Sequence, residues 1–453
     1  MTALDAQAEP YRAQFLDMLD AAFRRYGVPD GLPPRFREAV AATPRHRFVH
    51  RFRLADNGPV RGNFRLADGG PVRDNGADPA QDLPDIYSDA VMRHVDVAGE
   101  PLPSSNSQPS YVLYLLHLLG LERGQAVLEI GSGSGWLAAI MARLVGPEGR
   151  VVGIELIPDL AAQSRADLAA LGIGDVEVIT GDGTPGHAAG APYDRAIVTA
   201  AAWDVPVALL DQVVEGGLVV VPVELRGSDG CDVTVLRRQN DTLVAERAVA
   251  GWFVPLLGAG QDRAGTALPE MPGGAPAARF ALPLGLLGEG GPAPVAAQFR
   301  AFLGRTEPGF VVRPGDDDWR PWMPLPPFGL TDRMSGSVAL WRDGEVVSHG
   351  DRTTVTRLAQ AYARWAALGL PGTGAFRLEV HRAGAAPSGT DRLWIEPRGA
   401  TALAWRSGPT SGTGKPWPAP MRRTTDRWRR VGSHAGRRAS NCPSLRSKSS
   451  TWS

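Results

Sequence analysis

Apolar residues near the start of the chain recur with the period of an α-helix. From Tyr11 to Phe23 they fall at i, i+4, i+7, i+8, i+11 and i+12, which puts them on one helical face. The breaker Gly27-Val28-Pro29 follows, and residues of this kind end helices. The pattern predicts an amphipathic helix in this segment and a second short helix over residues 34–42.

Between residues 111 and 225, helical segments alternate with short apolar runs. Helices are predicted over residues 111–119, 137–144 and 159–171. The runs AVLEIG, RVVGIEL, VEVITGD, DRAIVTAAA and GGLVVVPVEL are apolar nearly throughout, as strands buried on both faces are. The alternation predicts an α/β fold with a doubly wound, mainly parallel, Rossmann-like sheet. In such a sheet a ligand binds at the carboxyl ends of the first strands.

The remaining segments predict how the chain is divided. A tandem duplication, RFRLADNGPVRG then NFRLADGGPVRD, carries the turn residues of a surface loop or paired hairpins. Downstream, SVALWRDGEVVSHG predicts a hairpin and residues 353–369 an amphipathic helix. The predicted divisions are an N-terminal helical and loop region with the duplication (1–100), the α/β domain (101–260), a Gly-, Ala- and Pro-rich linker (261–295), an accessory α+β module (296–405) and a disordered basic tail (406–453).

The zero net charge of the chain is a cancellation between the tail and the remainder. Of 48 basic and 48 acidic residues, the tail holds 11 basic and one acidic, so it carries +10 and the first 405 residues −10. Such a tail can bind nucleic-acid phosphates by charge alone, but no recognisable nucleic-acid module accompanies it. A solvated tail is the favoured interpretation, and no nucleic-acid partner is expected. Both lysines of the chain lie there, which also fits a shifted reading frame.

The composition excludes several classes of protein. An apolar content of 43% excludes a wholly disordered chain, and no run of ~18 uncharged apolar residues predicts a transmembrane helix. The acidic start MTALDAQAEPYRAQF lacks the apolar core of a secretory signal. Two cysteines cannot form a disulfide framework or a Cys-type zinc site. We therefore expect a cytoplasmic protein without a membrane partner.

The strongest signal for a binding site is the segment VLEIGSGSGWLAAI. A strand ends near Glu129, and a glycine turn over residues 131–135 leads into a helix. Glycines at this turn let the backbone approach a ligand and point the amides of the helix N-terminus into a pocket. Glu155 ends the second strand, where an acid commonly accepts both hydroxyls of a ribose. Asp182 follows the third strand, where an acid can accept from an adenine amine.

The spacing of the glycines distinguishes between nucleotide ligands. A dinucleotide fingerprint is GxGxxG with the pyrophosphate at the helix N-terminus, whereas this turn is GxGxG preceded by Glu129. A carboxylate there repels a pyrophosphate and attracts an amino group or a sulfonium, which favours S-adenosylmethionine as the cofactor. The alternatives are a solvated strand end for Glu129 and a nicotinamide oxidoreductase that uses Glu155 for the ribose. The spacing and Glu129 speak against the oxidoreductase.

A set of separated motifs resembles the protein-L-isoaspartate (D-aspartate) O-methyltransferase family. The motifs follow the family's order and are TPRHRFV, SNSQPS, VLEIGSGSGW, GDG, APYDRAIVTAAA, LLDQVVEGGLVVVPV and WFVPL. The resemblance implies a class I methyltransferase domain over residues 101–260 that methylates the carboxylate of L-isoaspartyl residues in proteins or peptides, as in protein repair. The serine-rich loop and C-terminal extension are also similar to those of enzymes that methylate aspartate in ribosomally made peptides. A catalytically silent regulator that binds the cofactor is the alternative from another class.

The resemblance also implies roles for individual residues. The active-site serine of the family corresponds to Ser107. The residues that correspond to the methyl-donor contacts are Ser104, Ser105, Asn106, Ser107, Glu129, Gly131, Ser132, Gly133, Gly135, Glu155, Asp182 and Gly183. The residues that correspond to the substrate-backbone contacts are Thr199, Ala200, Ala201 and Ala202.

The expected reaction needs little acid–base chemistry. A carboxylate has a reference pKa of about 3.9–4.3, so at neutral pH it is already a nucleophile, and positioning supplies most of the rate. We expect the Ser107 hydroxyl to orient this carboxylate; the alternative is a helix N-cap before Tyr111. His46 is expected on the surface or in a structural role, and His117 as a partly buried helix residue. No His, Cys and Asp cluster has metal-ligand spacing, so no metal is expected.

Overall fold

The computed structural model describes most of the chain up to Ser407. The described residues are 2–54, 72–74, 79–226, 231–259, 261, 276–282, 295–312, 327–342, 344–388 and 393–407. Much of the duplication, most of the predicted linker and the tail beyond residue 407 lie outside these ranges. The predicted disorder of the tail therefore stays a prediction.

The N-terminal region contains helices and, within the described ranges, a four-stranded antiparallel sheet with the order β2-β1-β3-β4. Its elements are α1 (Ala3–Arg25), α2 (Pro34–Ala41), β1 (Arg51–Leu54), β2 (Arg73–Asp74), α3 (Pro79–Ile86), β3 (Met92–Val95) and β4 (Pro101–Asn106). Both predicted helices are present, and α1 buries the predicted face through Phe15, Leu19 and Phe23. The sheet corrects the expectation of a helical and loop region, although β1 and β2, at the two ends of the duplication, pair antiparallel as in a hairpin. Strand β4 could not be predicted from the sequence because it contains Pro101 and Pro103, and proline normally argues against a strand. It is tolerated here because β4 lies at the edge of the sheet.

The central region alternates helices and strands as the sequence predicts. Its elements are α4 (Pro109–Leu119), β5 (Ala126–Ile130), α5 (Trp136–Val145), β6 (Arg150–Glu155), α6 (Pro158–Ala170), β7 (Val176–Thr180), β8 (Tyr193–Val198), α7 (Ala208–Gln212), β9 (Val213–Glu224), β10 (Cys231–Gln239) and β11 (Thr242–Gly251). Strands β5 to β9 pair in parallel, and β9, β10 and β11 pair antiparallel. The α/β fold class is confirmed.

The C-terminal region contributes to two sheets. Its elements are β12 (Ala278–Ala281), α8 (Val295–Thr306), β13 (Phe310–Val312), β14 (Phe328–Asp332), β15 (Ser337–Arg342), β16 (Glu345–His349), α9 (Thr353–Ala367), β17 (Phe376–Arg382), β18 (Leu393–Pro397) and β19 (Thr401–Ser407). In the described residues, β12 to β16 form a five-stranded sheet with the order β12-β16-β15-β14-β13. The predicted hairpin is β15–β16, and the predicted amphipathic helix is α9.

The remaining three strands extend the central sheet instead of forming a separate module. Strand β17 pairs antiparallel with β11, with Thr242 opposite His381, and the described sheet has ten strands in the order β18-β19-β17-β11-β10-β9-β8-β5-β6-β7. This corrects three predicted boundaries. The accessory module shares the central sheet, the linker contributes β12, and Arg406 and Ser407 belong to β19 rather than to the tail. The pairing covers the edge of β11 at Thr242–Val244, where Leu243 is fully buried, and a strand edge left open exposes unpaired backbone groups.

The two faces of the central sheet are covered by different parts of the chain. Because side chains alternate along a strand, Val127 and Val151 belong to a buried apolar cluster that includes residues of α1, α4 and α5. Leu128 and Val152 belong to a second cluster, which extends to residues of α8 and α9. All described residues fall into one compact unit. Within the described ranges, none of the helices combines the length and apolar character needed to cross a bilayer.

Candidate active site

A cleft opens at the carboxyl ends of β5 and β6, where the fold places a ligand. It encloses about 910 Å³ of empty space, counting open solvent at its mouth. The predicted residues that line the cleft are 104–107, Glu129, 131–133, Glu155, Gly183, Thr199 and Ala200. The fold therefore brings most of the predicted site together.

The glycine turn has the backbone conformation that only glycine adopts readily. Gly131 and Gly133 have φ angles of 93° and 55°. A Cβ atom on Gly131 would lie 2.8 Å from Oγ1 of Thr199, so the turn is packed closely against the end of β8. Gly135 also has positive φ, but a Cβ there would overlap the hydroxyl of Ser164 in α6. Gly135 therefore permits helix packing and does not line the cleft.

Glu129 is a buried carboxyl group in the cleft. Its side chain accepts a 2.9 Å hydrogen bond from Oγ of Ser132, and no ion pair to it occurs among the described residues. Burial raises the pKa of Glu129 to about 8; the Ser132 hydrogen bond opposes this rise and the nearby Glu155 adds to it. The alternative of a solvated strand end is wrong, because only 1% of the residue is exposed. A buried carboxyl group with unused acceptor capacity fits the ammonium group of an amino acid.

Glu155 connects the ends of β5 and β6. Its Oε2 accepts a 2.7 Å hydrogen bond from the N–H of Gly133, and its Oε1 accepts one of 2.9 Å from the N–H of Ile157. Burial raises the pKa of Glu155, and these N–H donors oppose the rise. An ionised carboxylate has about four acceptor positions, so two hydrogen bonds leave capacity for hydroxyl groups.

The part of the cleft wall that lies at the end of β4 contains polar atoms without hydrogen-bond partners among the described residues. Oγ of Ser134 donates to Oδ1 of Asn106 at 2.7 Å, and Nδ1 of His94 lies 3.1 Å from Oγ of Ser104. The buried Nε2 of His94 and Nδ2 of Asn106 have no hydrogen-bond partner among the described residues. Burial lowers the pKa of His94 to about 4, so the imidazole is neutral at pH 7. Buried polar atoms are normally satisfied, and Asn106 lines the cleft, so its free Nδ2 suits a polar ligand.

Ser107 lies in the cleft wall before α4. Helix α4 begins at Pro109 with Gln108 as its N-cap residue, so the alternative role of Ser107 as the N-cap is wrong. The start of this helix is held instead by Asp89, which accepts from the N–H and the hydroxyl of Ser110 at 2.9 and 2.7 Å. Among the described residues, the Ser107 hydroxyl has no hydrogen-bond partner. It is therefore available to a ligand.

The predicted substrate segment after β8 divides into two pairs of residues. Thr199 and Ala200 line the cleft, whereas Ala201 and Ala202 are buried behind them. The N–H of Ala201 donates to Val254 at 2.8 Å, and that of Ala202 donates to Pro222 at the same distance. The backbones of Ala201 and Ala202 therefore hold the wall in place and are not open to a peptide.

Asp182 lies beside the cleft, while its neighbour Gly183 is in the wall. Its carboxylate accepts from the N–H groups of Thr184 at 2.8 Å and Ala259 at 2.7 Å. Its pKa is lowered: its partial burial alone would raise it, but these two N–H groups stabilise the charged form. Asp182 thus fixes the segment after β11, and its predicted contact with an adenine amine stays a prediction.

His46 and His117, for which the sequence also allowed metal-binding or acid–base roles, are packed within the fold. His46 is buried and contacts the Tyr87 hydroxyl at 2.7 Å and Asp5 at 3.0 Å, so the structural role is the one observed and the surface role is not. His117 is partly buried on α4, as predicted. In the described part of the chain, no group of three or more His, Cys, Asp or Glu side chains is placed to hold a metal ion.

Comparison with known proteins decides the family. A family model described as protein-L-isoaspartate(D-aspartate) O-methyltransferase matches residues 84–261. A protein-L-isoaspartate O-methyltransferase of Ignicoccus hospitalis is 48% identical over 144 residues, which are 31% of this chain and 68% of the relative. One of Methanothrix thermoacetophila is 40% identical over 178 residues, which are 38% of this chain and 83% of the relative. The chain belongs to this family.

The predicted membership of the protein-L-isoaspartate O-methyltransferase family is thus confirmed. A solved structure of a protein-L-isoaspartate O-methyltransferase is 23% identical, with a TM-score of 0.49, and the alignment covers 82% of this chain and 97% of that one. The family match ends at residue 261, so α8, α9 and β12 to β19 lie beyond it.

Sequence reasoning missed several residues that support this methyltransferase site. Asp89 holds the start of α4. His94, one of the three histidines that invite a metal or acid–base role, lies instead beside the glycine turn, with Cε1 3.7 Å from where a Cβ of Gly133 would be. Arg45, in the TPRHRFV motif, is buried; it donates to the carbonyl of Ile86 at 2.7 Å and lies 5.4 Å from the ring of Trp136. The signal in the sequence is the position of Arg45 inside the TPRHRFV motif, next to His46.

Proposed function

We propose that this chain transfers a methyl group from S-adenosylmethionine to the carboxylate of L-isoaspartyl residues in proteins and peptides, the reaction of protein repair. The observation that carries the proposal is that Glu129 and Ser107 line one cleft. Glu129 offers a buried carboxyl group to a cationic donor, and Ser107 offers a hydroxyl to an anionic acceptor. The family name supports the choice of isoaspartate as the acceptor.

The donor side of the cleft consists of the ends of β5 and β6. Glu129 and the amides of the glycine turn would hold the methionine part, and Glu155 would accept from the ribose. The backbone of Gly181 and Gly183 forms the wall where the adenine would lie. S-adenosylmethionine, when bound, supplies a methyl group that a carboxylate oxygen can accept.

The acceptor side needs orientation rather than a general base. A carboxylate is ionised at neutral pH, so no side chain has to remove a proton from it. The Ser107 hydroxyl donates a hydrogen bond to one carboxylate oxygen and so turns the other toward the donor. Burial of Val112 and Trp136, which also line the cleft, keeps water from this place.

The proposal is tested with two synthetic peptides that differ only in an isoaspartyl or an aspartyl residue. Each is incubated with the purified chain and S-adenosylmethionine, and methyl-ester formation is measured by mass spectrometry. We expect the ester on the isoaspartyl peptide alone. No ester on either peptide would contradict the proposal. An ester on the aspartyl peptide alone would favour the peptide-maturation alternative, for which the described residues offer no observation of their own.

We further propose that the chain acts in the cytoplasm. Two cysteines among 453 residues support this location, since one of them, Cys231, is a buried free thiol in β10. Burial raises the pKa of this thiol, which keeps it unreactive. Localisation of a tagged full-length chain by microscopy or fractionation would test the proposal.

A further inference from the structure

The segment that follows the substrate wall is fixed by side chains from distant parts of the chain. Trp203 and Asp204 come directly after residues 199–202. The Oε1 of Gln261 accepts from both of their N–H groups, at 3.0 and 3.3 Å, and its Nε2 donates to the carbonyl of Asp204 at 2.8 Å. The remaining carbonyl, that of Trp203, accepts a 3.1 Å hydrogen bond from Nη1 of Arg398. All four backbone polar groups of this turn are therefore satisfied.

Arg398 lies just after β18 and makes more contacts around this turn than Gln261 does. Its guanidinium is 3.5 Å from the centre of the Trp203 ring, a stacking distance for a cation over an aromatic ring. Nη2 also donates to the carbonyl of Glu224 at 3.1 Å and to Oε2 of Glu396 at 2.9 Å. Only 9% of Arg398 is exposed, so these contacts are shielded from water.

The turn between β18 and β19 adds a second attachment to the same segment. The carboxylate of Asp204, which is buried, accepts from the N–H groups of Ala400 at 2.7 Å and Thr401 at 3.2 Å. The Thr401 hydroxyl also donates to it. The β18–β19 turn therefore holds both the ring of Trp203 and the carboxylate of Asp204.

We infer that Arg398 is a positioning residue for the substrate side of the cleft, and that the C-terminal strands act on the reaction through it. The inference rests on the proposed function. Arg398 contacts the end of this wall segment in two ways: directly at Trp203, and through Glu224, whose carbonyl accepts from Arg398 and whose N–H donates to the carbonyl of Ala202 at 2.9 Å. Loss of Arg398 therefore loosens the segment that continues from Thr199 and Ala200, which line the cleft. The donor side is built on β5 and β6 and makes none of these contacts, among those described.

The test compares Arg398→Met with a matched control, Arg305→Met. Arg305 is also a buried arginine of the C-terminal region: it pairs with Asp232 at 2.6 Å and lies 5.0 Å from the Trp405 ring, but it does not touch residues 199–204. With an isoaspartyl peptide as substrate, we expect Arg398→Met to raise KM for the peptide about tenfold. Calorimetry should give an unchanged affinity for S-adenosylmethionine. Arg305→Met should lose about as much thermal stability as Arg398→Met but keep the wild-type KM for the peptide.

A second readout separates this inference from the proposed function. Hydrogen–deuterium exchange of the full chain without substrate should show faster exchange at the amides of Trp203 and Asp204 in Arg398→Met and not in Arg305→Met. An unchanged KM together with unchanged exchange would overturn the inference. If the wild-type chain does not methylate the peptide, the proposed function fails while the exchange comparison still decides whether Arg398 fixes the turn. If Arg398→Met does not fold, Arg398→Lys takes its place and should show smaller changes in KM and in amide exchange, in the same direction. If Arg398→Lys changes neither quantity, the inference is overturned.

Discussion

The carboxylate of Asp89 holds the start of α4 through Ser110, accepting from its N–H at 2.9 Å and its hydroxyl at 2.7 Å. The same carboxylate accepts from Nε2 of Gln108 at 2.8 Å. The bond from the N–H of Ser110 satisfies one of the backbone N–H groups that a helix N-terminus leaves without internal partners, and the two side-chain bonds tie Gln108 and Ser110 to the same carboxylate. Because Ser107 directly precedes Gln108, Asp89 also fixes where the Ser107 hydroxyl enters the cleft.

Asp89→Ala should therefore affect both stability and activity. We expect the free energy of unfolding, measured by urea denaturation, to fall by about 1–2 kcal/mol, as on loss of a helix cap. The kcat/KM for an isoaspartyl peptide should fall as well. The matched control is Asp351→Ala, because Asp351 accepts from the N–H of Thr353 at the start of α9 at 2.9 Å. Equal losses of activity in the two variants would contradict a role of Asp89 in placing Ser107.

Glu129 should couple donor binding to proton release. Burial raises the pKa of Glu129 to about 8, so in the ligand-free protein at pH 7 the carboxyl is mostly protonated. An ammonium group favours the ionised form, and binding should therefore release close to one proton and tighten as the pH rises toward 8. Calorimetry in buffers of different ionisation enthalpy measures this. Glu129→Gln should abolish the release and weaken binding roughly 10- to 100-fold. Wild-type binding without proton release would refute the assignment.

Ser107→Ala should lower the rate on peptide more than it lowers donor affinity. The hydroxyl has no partner among the described residues, so its removal costs little stability and acts through the lost hydrogen bond to the substrate. We expect kcat/KM for the isoaspartyl peptide to fall about tenfold. Ser335→Ala, in the turn before β15, is the control for loss of a serine hydroxyl far from the cleft. An unchanged rate for Ser107→Ala would remove the orienting role.

His94 should make the protein less stable in weak acid. Burial lowers its pKa in the folded state to about 4, from the ordinary histidine value of 6.5. A lowered pKa means that the stability contributed by neutral His94 is fully present above pH 6.5 and is lost as the pH falls toward 4, by up to about 3 kcal/mol. Urea denaturation between pH 4.5 and 7 should therefore show a smaller pH dependence for His94→Asn than for the wild type. Parallel curves would count against a buried neutral imidazole.

The helices and the parallel strands could be predicted because their signals are local. The face from Tyr11 to Phe23 and the run AVLEIG each carry their period within a few residues. The residues at the strand ends, Glu129 and Glu155, could be placed for the same reason, since a strand that runs into a helix fixes which residue faces the cleft.

What could not be predicted depends on pairs of residues far apart in sequence. Asp182 bonds to Ala259, and Ala202 to Pro222, and neither partner is indicated by any local pattern. The union of the C-terminal region with the central sheet depends on β11 meeting β17 across the register pair Thr242 and His381. A Gly- and Pro-rich stretch suggested a linker between domains, but composition carries no information on whether the strands on its two sides pair.

The junction of β11 with β17 also determines the smallest fragment that can fold. A fragment ending at residue 261, where the family match ends, would leave the β11 edge open and remove the residues of α8 and α9 from the buried apolar cluster that they share with the central sheet. An open strand edge beside exposed apolar surface promotes association between chains. We therefore expect a fragment that ends at residue 261 to be less stable and to associate more readily than the full chain, because the C-terminal strands cover an edge of the sheet that carries the cleft.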